Sequence, residues 1–361
     1  MSPRRRAVLL AALAPNALRA QGRVEEDRVQ RGRALQFPRD HGAHSQTAIE
    51  WWYATGWLGS ETVPLYGFQI TFFRSKTGLA QDSASRFAAQ QVLFAHAALT
   101  DLRARTHQHS QRLVRWSGRV DSHDRAALND ADVRIGRWRL RRDETGYQAD
   151  IDGAFTLALK LAPTQPLLPQ GDAGFSRKGP ADAYASHYYS EPQLLAKGQI
   201  TRKGSTESTS GSAWLDHEWS DGLLHPDAVG WDWIGMNLHD GSALMAFQMR
   251  RADGTALWAG GSLRKPGQDA RIFAATELRF SARRRWTSPA SGVSWPLQWS
   301  IDTPLGRFEV NPLLDAQELD NRATTGTLYW EGVSQLLDEQ QRVVGLGYLE
   351  LTGYGQRLRL G

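Results

Sequence analysis

The sequence predicts an all-β protein made of two tandem antiparallel β-barrels packed side by side. Three observations carry this expectation. After residue 20 no segment sustains a helical period, while apolar residues recur at every second position. The 361 residues include 34 glycines, more than long helices tolerate and well suited to turns. Asp-Gly pairs stand between alternating runs, a strong hairpin signal. With 41% hydrophobic and 22% charged residues, the chain has the composition of a globular protein and the length of two domains.

The elements follow in order. Residues 1–20 read as an export signal: Arg4-Arg5-Arg6, an apolar run from Ala7 to Ala14, a break at Pro15 and Asn16, and Ala20 before a cleavage site. The run is shorter than the roughly 20 apolar residues of a membrane span. Arg5 to Leu9 also fits a loose twin-arginine pattern, so the expected location is periplasmic or secreted. The first barrel is placed at 37–210. There Tyr66, Phe68, Ile70 and Phe72 share one face, and Val92, Phe94, His96 and Ala98 share another. Residues 163–180, rich in proline and glycine, read as a long loop over a barrel mouth. The second barrel is placed at 211–357. Runs at 231–238 and 244–250 flank Asp240-Gly241, Asp253-Gly254 precedes a run at 257–263, and 327–337 with 343–351 form a last hairpin. About eight strands fit each half, enough to enclose one small ligand.

Charge and cysteine content exclude several functions. The formal net charge of +5 falls to about +1 without Arg4, Arg5, Arg6 and Arg19, so no basic surface remains to argue for nucleic acid. Arg137, Arg139, Arg141 and Arg142 read as a solvated face. The absence of cysteine rules out disulfides, thiol nucleophiles and thiolate metal sites.

The chemistry concentrates at residues 211–220, where Asp216, His217 and Glu218 stand between Trp214 and Trp219. Indoles beside charges indicate burial, which shifts pKa values toward a catalytic range. Trp231-Asp232-Trp233 and Glu50-Trp51-Trp52-Tyr53 repeat the pairing of acid and indole. Alternation separates these residues: Leu215, His217 and Trp219 on one face, Trp214, Asp216 and Glu218 on the other, so either the acids or His217 face a ligand. Glu50 shares a face with Trp52, and Trp51 with Tyr53. Glu50 reads as a second catalytic group or an indole partner, and His96 as a core histidine or a ligand contact. Tyr188 and Tyr189 offer a pocket wall with hydrogen-bond donors.

Other chemistries fit less well. Ser190 lacks the G-x-S-x-G elbow of a serine hydrolase. His217-Glu218 is not followed by the second histidine of a zincin, and the pairs His41/His44 and His107/His109 lack further obvious ligands, so no metal is expected. His41 and His44 read as shaping the turn before the first strand. No Gly-rich phosphate loop is present.

Residues 40–44, 50–53, 211–220, 230–233 and 347–354 together resemble a family of secreted lipocalin-like proteins: the AttH-like proteins and the carotenoid 1,2-hydratases, with fungal pericyclase-type cyclases as more distant relatives. The resemblance runs from about Phe37 to Tyr354. It implies two lipocalin-like barrels with ligand chemistry at or between them, and no cofactor. The AttH-like branch implies a link to ABC-transporter systems, and the hydratase branch implies addition of water to a terminal isoprenoid double bond. His217-Glu218-Trp219 matches a functional His-x-Trp of the hydratases. The strand at 244–249, where the hydratases carry a tyrosine and an acid, has neither here.

The combined expectation is an exported protein that binds an isoprenoid or lipid-like molecule and hands it to an ABC transporter. The alternative is a cofactor-free hydratase or hydrolase. Asp216, His217, Glu218 and Glu50 are the acid–base candidates. Trp52, His96, Tyr188, Tyr189, Trp214, Trp219, Trp231, Trp233 and Gln248 are the candidate ligand contacts.

Overall fold

The computed structural model describes residues 28–85, 87–222 and 224–358, so the export segment at 1–20 lies outside the described residues. Alternating sequence becomes strand almost throughout: 23 strands and two short 3-10 turns, Arg39–His41 and Ala275–Glu277, among the described residues. No helix among them is long and apolar enough to cross a membrane.

The first sheet contains β1 (Ile49–Gly59), β2 (Pro64–Lys76), β3 (Gln91–Asp101), β4 (Thr106–Trp116), β5 (Arg125–Ala126), β6 (Asp132–Ile135) and β7 (Trp138–Asp143). It continues with β8 (Gly146–Asp152), β9 (Thr156–Ala162), β10 (Leu168–Pro169), β11 (Phe175–Arg177), β12 (Ala185–Arg202) and β13 (Ser205–Ser220). The second sheet holds β14 (Gly230–Leu238), β15 (Ala243–Arg250), β16 (Ala256–Arg264), β17 (Arg271–Phe273) and β18 (Arg279–Thr287). Its remaining strands are β19 (Ser294–Thr303), β20 (Gly306–Pro312), β21 (Glu318–Asn321), β22 (Thr327–Leu337) and β23 (Val343–Leu351).

Each sheet is an antiparallel meander that returns to its first strand, through β13–β1 in one and β23–β14 in the other. The free edges, β4 and β5 or β17 and β18, are consecutive in sequence, so each sheet rolls up toward closure. The all-β, two-barrel expectation therefore holds. The Asp240-Gly241 turn joins β14 to β15 as expected, with Gly241 at φ +82° where a side chain would be strained. Residues 163–180 are less irregular than their composition suggests, because β10 and β11 both pair with β12.

The sequence boundary at 210/211 is displaced. Residues 211–220 are the second half of β13, hydrogen-bonded to β1 on one side and β12 on the other, so they close the first sheet. The chain crosses to the second barrel between Ser220 and Gly230.

Among the described residues, large side chains occupy the interior of both barrels, where the strand count had suggested a ligand-sized lumen. Trp52, Phe72, Leu93, Trp116, Trp138 and Tyr147 belong to one continuous core in the first barrel. Trp295, Trp299, Trp330, Leu349 and Leu351 pack together in the second. Side chains of this size fill a small barrel. A third apolar cluster joins the barrels: Tyr53, Trp57, Tyr188 and Trp214 from the first meet Trp233, Met245, Phe247, Met249, Val333 and Tyr348 from the second. Close approach at this seam needs Gly67, where a Cβ would lie 2.6 Å from Val333 Cγ1.

Candidate active site

Both faces of β13 are buried from Ala213 to Ser220, because one fills the first barrel and the other packs on the second. Strand alternation therefore builds two separate polar assemblies on opposite sides of the β1–β13–β12 ribbon. His217 and Trp219 face inward with Glu50 and Trp52 of β1 and Tyr189 of β12. Asp216 and Glu218 face the seam with Trp51, Tyr53 and Tyr188. The sequence-predicted residues are thus divided, as the alternation required.

The inward assembly is a closed network. Glu50 Oε1 accepts from His44 Nδ1 at 2.7 Å and His217 Nε2 at 2.9 Å, while Arg74 Nε reaches Oε2 at 2.8 Å. His44 Nε2 lies 3.1 Å from Asp40 Oδ1, and Trp219 stacks on the His44 ring at 3.6 Å. His41, in the turn before β1 as expected, meets the Tyr189 hydroxyl at 2.7 Å. Burial alone would raise Glu50, but His44 and Arg74 win and hold it well below the usual carboxylate range. Burial lowers His217 against the pull of Glu50, and lowers His41 to about 3. His44, Glu50 and His217 offer ligand atoms within 4.8 Å of one another, a grouping the sequence pairs did not reveal. Their lone pairs and protons are already engaged, and Arg74 stands where a metal cation would be repelled. The donor set fits an ion-paired brace rather than a metal centre.

The outward assembly opens into a cleft between the barrels. An inner chamber of about 70 Å³ is bounded by Trp51, Tyr53, Tyr188, Trp233, Phe247 and Met249, with Asp216, Glu218 and Lys178 in its wall. An outer chamber of about 240 Å³ continues past Val92, Phe94, His96, Leu113 and Tyr329. Ile49, Phe73, Trp231, Glu331 and Glu350 line both chambers and so mark their junction. At the junction Trp51 and Trp231 lie nearly parallel, with centroids 6.4 Å apart and planes at 14°.

Asp216 accepts hydrogen bonds from Tyr188 at 2.7 Å, Ser190 at 2.6 Å and Trp214 Nε1 at 2.7 Å. Burial nonetheless outweighs these donors and pushes it up to about 7. Glu331 and Glu350 are directly opposed across β22 and β23. Burial and the neighbouring carboxylate push Glu331 well above its usual range. Glu350 rises to about 8, again through burial first, although Trp231 Nε1 donates to it at 3.0 Å. Adjacent carboxylates of this kind, Glu331 buried and Glu350 half-buried, favour retention of a shared proton. Lys178 Nζ sits 2.9 Å from Glu218 Oε1 and over the Tyr188 and Phe247 rings, with its pKa lowered by burial. Glu331 Oε2 and the Tyr53 hydroxyl are buried without partners.

Among the remaining expected contacts, His96 lines the outer chamber. Trp214 stands behind Asp216. Gln248 is not in the cleft: it points into the second barrel and donates to Asp232 at 2.7 Å, because Phe247 and Met249 on either side of it take the seam-facing positions. Glu331, Glu350 and Lys178 were missed. Glu350 lies within the recognised stretch 347–354, but an acid on an alternating strand of the second barrel reads as solvent-facing until the first barrel is docked against it.

The AttH-like family model matches residues 28–354. The chain belongs to the AttH-like family. An AttH protein from Nitrosomonas europaea, solved by crystallography, is 43% identical, covers 91% of this chain and 99% of its own, and superposes with a TM-score of 0.83. Kievitone hydratase from Nectria haematococca shares the fold at 14% identity, covering 91% of this chain and 96% of its own, with a TM-score of 0.66. CghA, crystallised with Sch210972, does so at 14% identity over 86% of this chain and 89% of its own, with a TM-score of 0.52. No curated protein matched the sequence. The Nitrosomonas protein and these two fold neighbours share the lipocalin-like, two-barrel architecture.

Proposed function

We propose that the interbarrel cleft is the active site of a cofactor-free hydratase acting on an apolar, isoprenoid-like ligand. The observation that carries this reading is the carboxyl pair Glu331/Glu350, directly opposed across β22 and β23 at the junction of the two chambers, with both pKa values raised and the near-parallel Trp51 and Trp231 rings beside it. Hydration of an alkene needs an acid strong enough to protonate carbon and a base for the attacking water. The Glu331/Glu350 pair supplies the proton, which forms a C–H bond as the alkene π bond breaks. The cation that results lies against indole faces, an attraction of up to about 2 kcal/mol when desolvated. Water then bonds to the cationic carbon and gives its proton to a carboxylate of the cleft, for which Glu218, ion-paired with Lys178, and Asp216 are the candidates. Return of that proton from the accepting carboxylate to the Glu331/Glu350 pair restores the starting state, and no redox change occurs.

The hydratase name of the Nectria relative supports the same reaction class. Export is supported by the signal-like pattern of residues 1–20, and a link to an ABC transporter by the family resemblance.

Turnover of isoprenoid alkenes, guided by lipids extracted from the purified protein, is the direct test. Mass spectrometry in H₂¹⁸O reports the added oxygen. Glu350→Gln and Glu331→Gln should each slow the reaction by about 10²–10⁴-fold, the usual weight of a general acid, with the far-UV spectrum unchanged. Full turnover in both variants, or tightly held ligand with no turnover in the wild type, would replace catalysis with simple binding.

A further inference from the structure

The exposed apolar side chains are unevenly placed. Among the described residues, four large hydrophobic residues are at least half exposed: Phe87 (77%), Leu79 (67%), Val63 (60%) and Val120 (50%). Phe87, Leu79 and Val120 gather at one end of the first sheet, and Val63 lies at the other. Leu79 and Phe87 sit on the connection 77–90 between β2 and β3. That connection is cross-braced: Thr77 Oγ1 donates to the Ala89 carbonyl at 2.6 Å, and Gln81 Nε2 donates to the carbonyls of Leu79 at 3.0 Å and Gln90 at 2.8 Å. Val120 follows the end of β4 beside it. Trp116 pairs there with Gln91, and a Cβ at Gly118 would lie 3.5 Å from Gln90 Oε1.

The same end carries the rim of the outer chamber. Ser75 and Val92, paired one step inside the root of the 77–90 connection, line that chamber, and so does the exposed Leu113. Lys76 and Arg115 stand at the adjoining strand positions, neither in an ion pair among the described residues. Single exposed apolar residues are ordinary, but several together beside a binding cleft mark a contact surface. The bracing leaves Leu79 and Phe87 in water, an apolar exposure that docking would remove.

The cleft's chemistry favours one kind of partner. An apolar ligand is scarce in water and concentrated in bilayers, so its mouth is best placed at a membrane. Apolar side chains flanked by unpaired cations suit that surface, the former entering the acyl boundary and the latter meeting lipid phosphates. We infer that this end of the first barrel docks on a phospholipid surface through Leu79, Phe87 and Val120, with the outer chamber opening beside them. The inference rests on the reading that the cleft takes an apolar ligand, but on no step of its chemistry.

Vesicles of phosphatidylcholine with about one quarter phosphatidylglycerol provide the test, since they carry the anionic charge of a natural leaflet. The full chain should sediment with them, and should still do so in about 0.5 M NaCl, where screening weakens purely ionic adsorption. The triple variant Leu79→Ser/Phe87→Ser/Val120→Ser should partition about tenfold or more weakly, as the loss of three buried apolar side chains requires. Val63→Ser, equally exposed at the opposite end, should partition like wild type. The chain has no cysteine, so Phe87→Cys and Val63→Cys each accept one environment-sensitive nitrobenzoxadiazole label. Vesicles should shift emission to the blue from position 87 and leave position 63 unchanged. None of these readouts needs turnover, so a failed hydratase reading leaves the docking result standing. Protein remaining in the supernatant, equal partitioning of the triple variant, or equal shifts at both labels would each overturn the inference. So would a dimer that the triple variant dissolves without any vesicle binding, which would make a second copy the occupant. Should the triple variant not fold, the two labels decide.

Discussion

Asp216→Asn isolates one buried acid and gives a measurable pH signature. Asp216 is fully enclosed and its pKa rises from 3.8 to about 7, chiefly through burial. The folded state therefore holds a proton that the unfolded chain releases above the ordinary aspartate range. Below about pH 4 both states are protonated and the side chain adds no pH dependence. Between about pH 4 and 7 stability falls by up to about 1.4 kcal/mol per unit, for a total of about 4 kcal/mol. Asparagine cannot ionise, so this slope disappears. The amide keeps one acceptor oxygen for the donors Ser190, Tyr188 and Trp214, so about 1–2 kcal/mol of hydrogen bonding is lost at every pH. The two curves should cross: the variant is less stable at pH 4.5 and more stable by about 2 kcal/mol at pH 8. Urea unfolding followed by tryptophan fluorescence across that range measures the difference. Parallel curves for wild type and variant would show that Asp216 is ionised in the fold and that its environment has been misjudged.

Other outcomes follow from the same geometry. Activity should fall as pH rises through about 8, where Glu350 loses its proton, and Glu350→Gln should remove that limb along with most of the rate; a profile that rises through pH 8 would exclude this acid. Glu50→Ala should cost about 3–5 kcal/mol because Arg74 and His44 are left buried without their carboxylate, and a urea midpoint near wild type would contradict the brace. Gly67→Val should separate the barrels, since even its Cβ meets Val333 at 2.6 Å; a single unfolding transition at the wild-type midpoint would refute a tight seam.

The faces of individual strands were legible in the sequence; the neighbours those faces meet were not. Alternation in Glu50-Trp51-Trp52-Tyr53 correctly separated Glu50 and Trp52 from Trp51 and Tyr53, because strand geometry imposes that division locally. Gly211 looked like the start of a domain, yet it sits mid-strand against Trp57, where a Cβ would lie 2.0 Å from the Trp57 carbonyl oxygen. Nothing local marks that approach. The hydrogen bond from Trp231 to Glu350 spans most of the second barrel in sequence, and the ion pair of Lys178 with Glu218 begins in a segment read as loop. Gln248 fails for a more instructive reason. It pairs with Asp232 across β14 and β15, so once Trp231 and Trp233 are known to face the seam, alternation itself removes Gln248 from the cleft.

The filled lumens explain why the chemistry lies between the barrels. Trp52, Trp116 and Trp138 occupy the interior of the first barrel among the described residues, and the cleft chambers lie instead on the faces the two barrels turn to each other. In a single barrel Asp216, Glu218 and Trp51 would face water, and so would Glu331, Glu350 and Trp231 in the other. Docking the two faces removes that water from acids contributed by both sides, and burial is the leading cause of the shift at Asp216, Glu331 and Glu350 alike. The raised pKa values are thus a property of the seam rather than of either barrel. A change that loosens the seam should return these acids toward ordinary values before it unfolds either sheet. In the Gly67→Val variant, the alkaline limb of the activity profile should accordingly move to lower pH in whatever activity survives. An unmoved limb in a variant with demonstrably separated barrels would mean that each barrel buries its own acids, and the cleft would lose its claim to have created them.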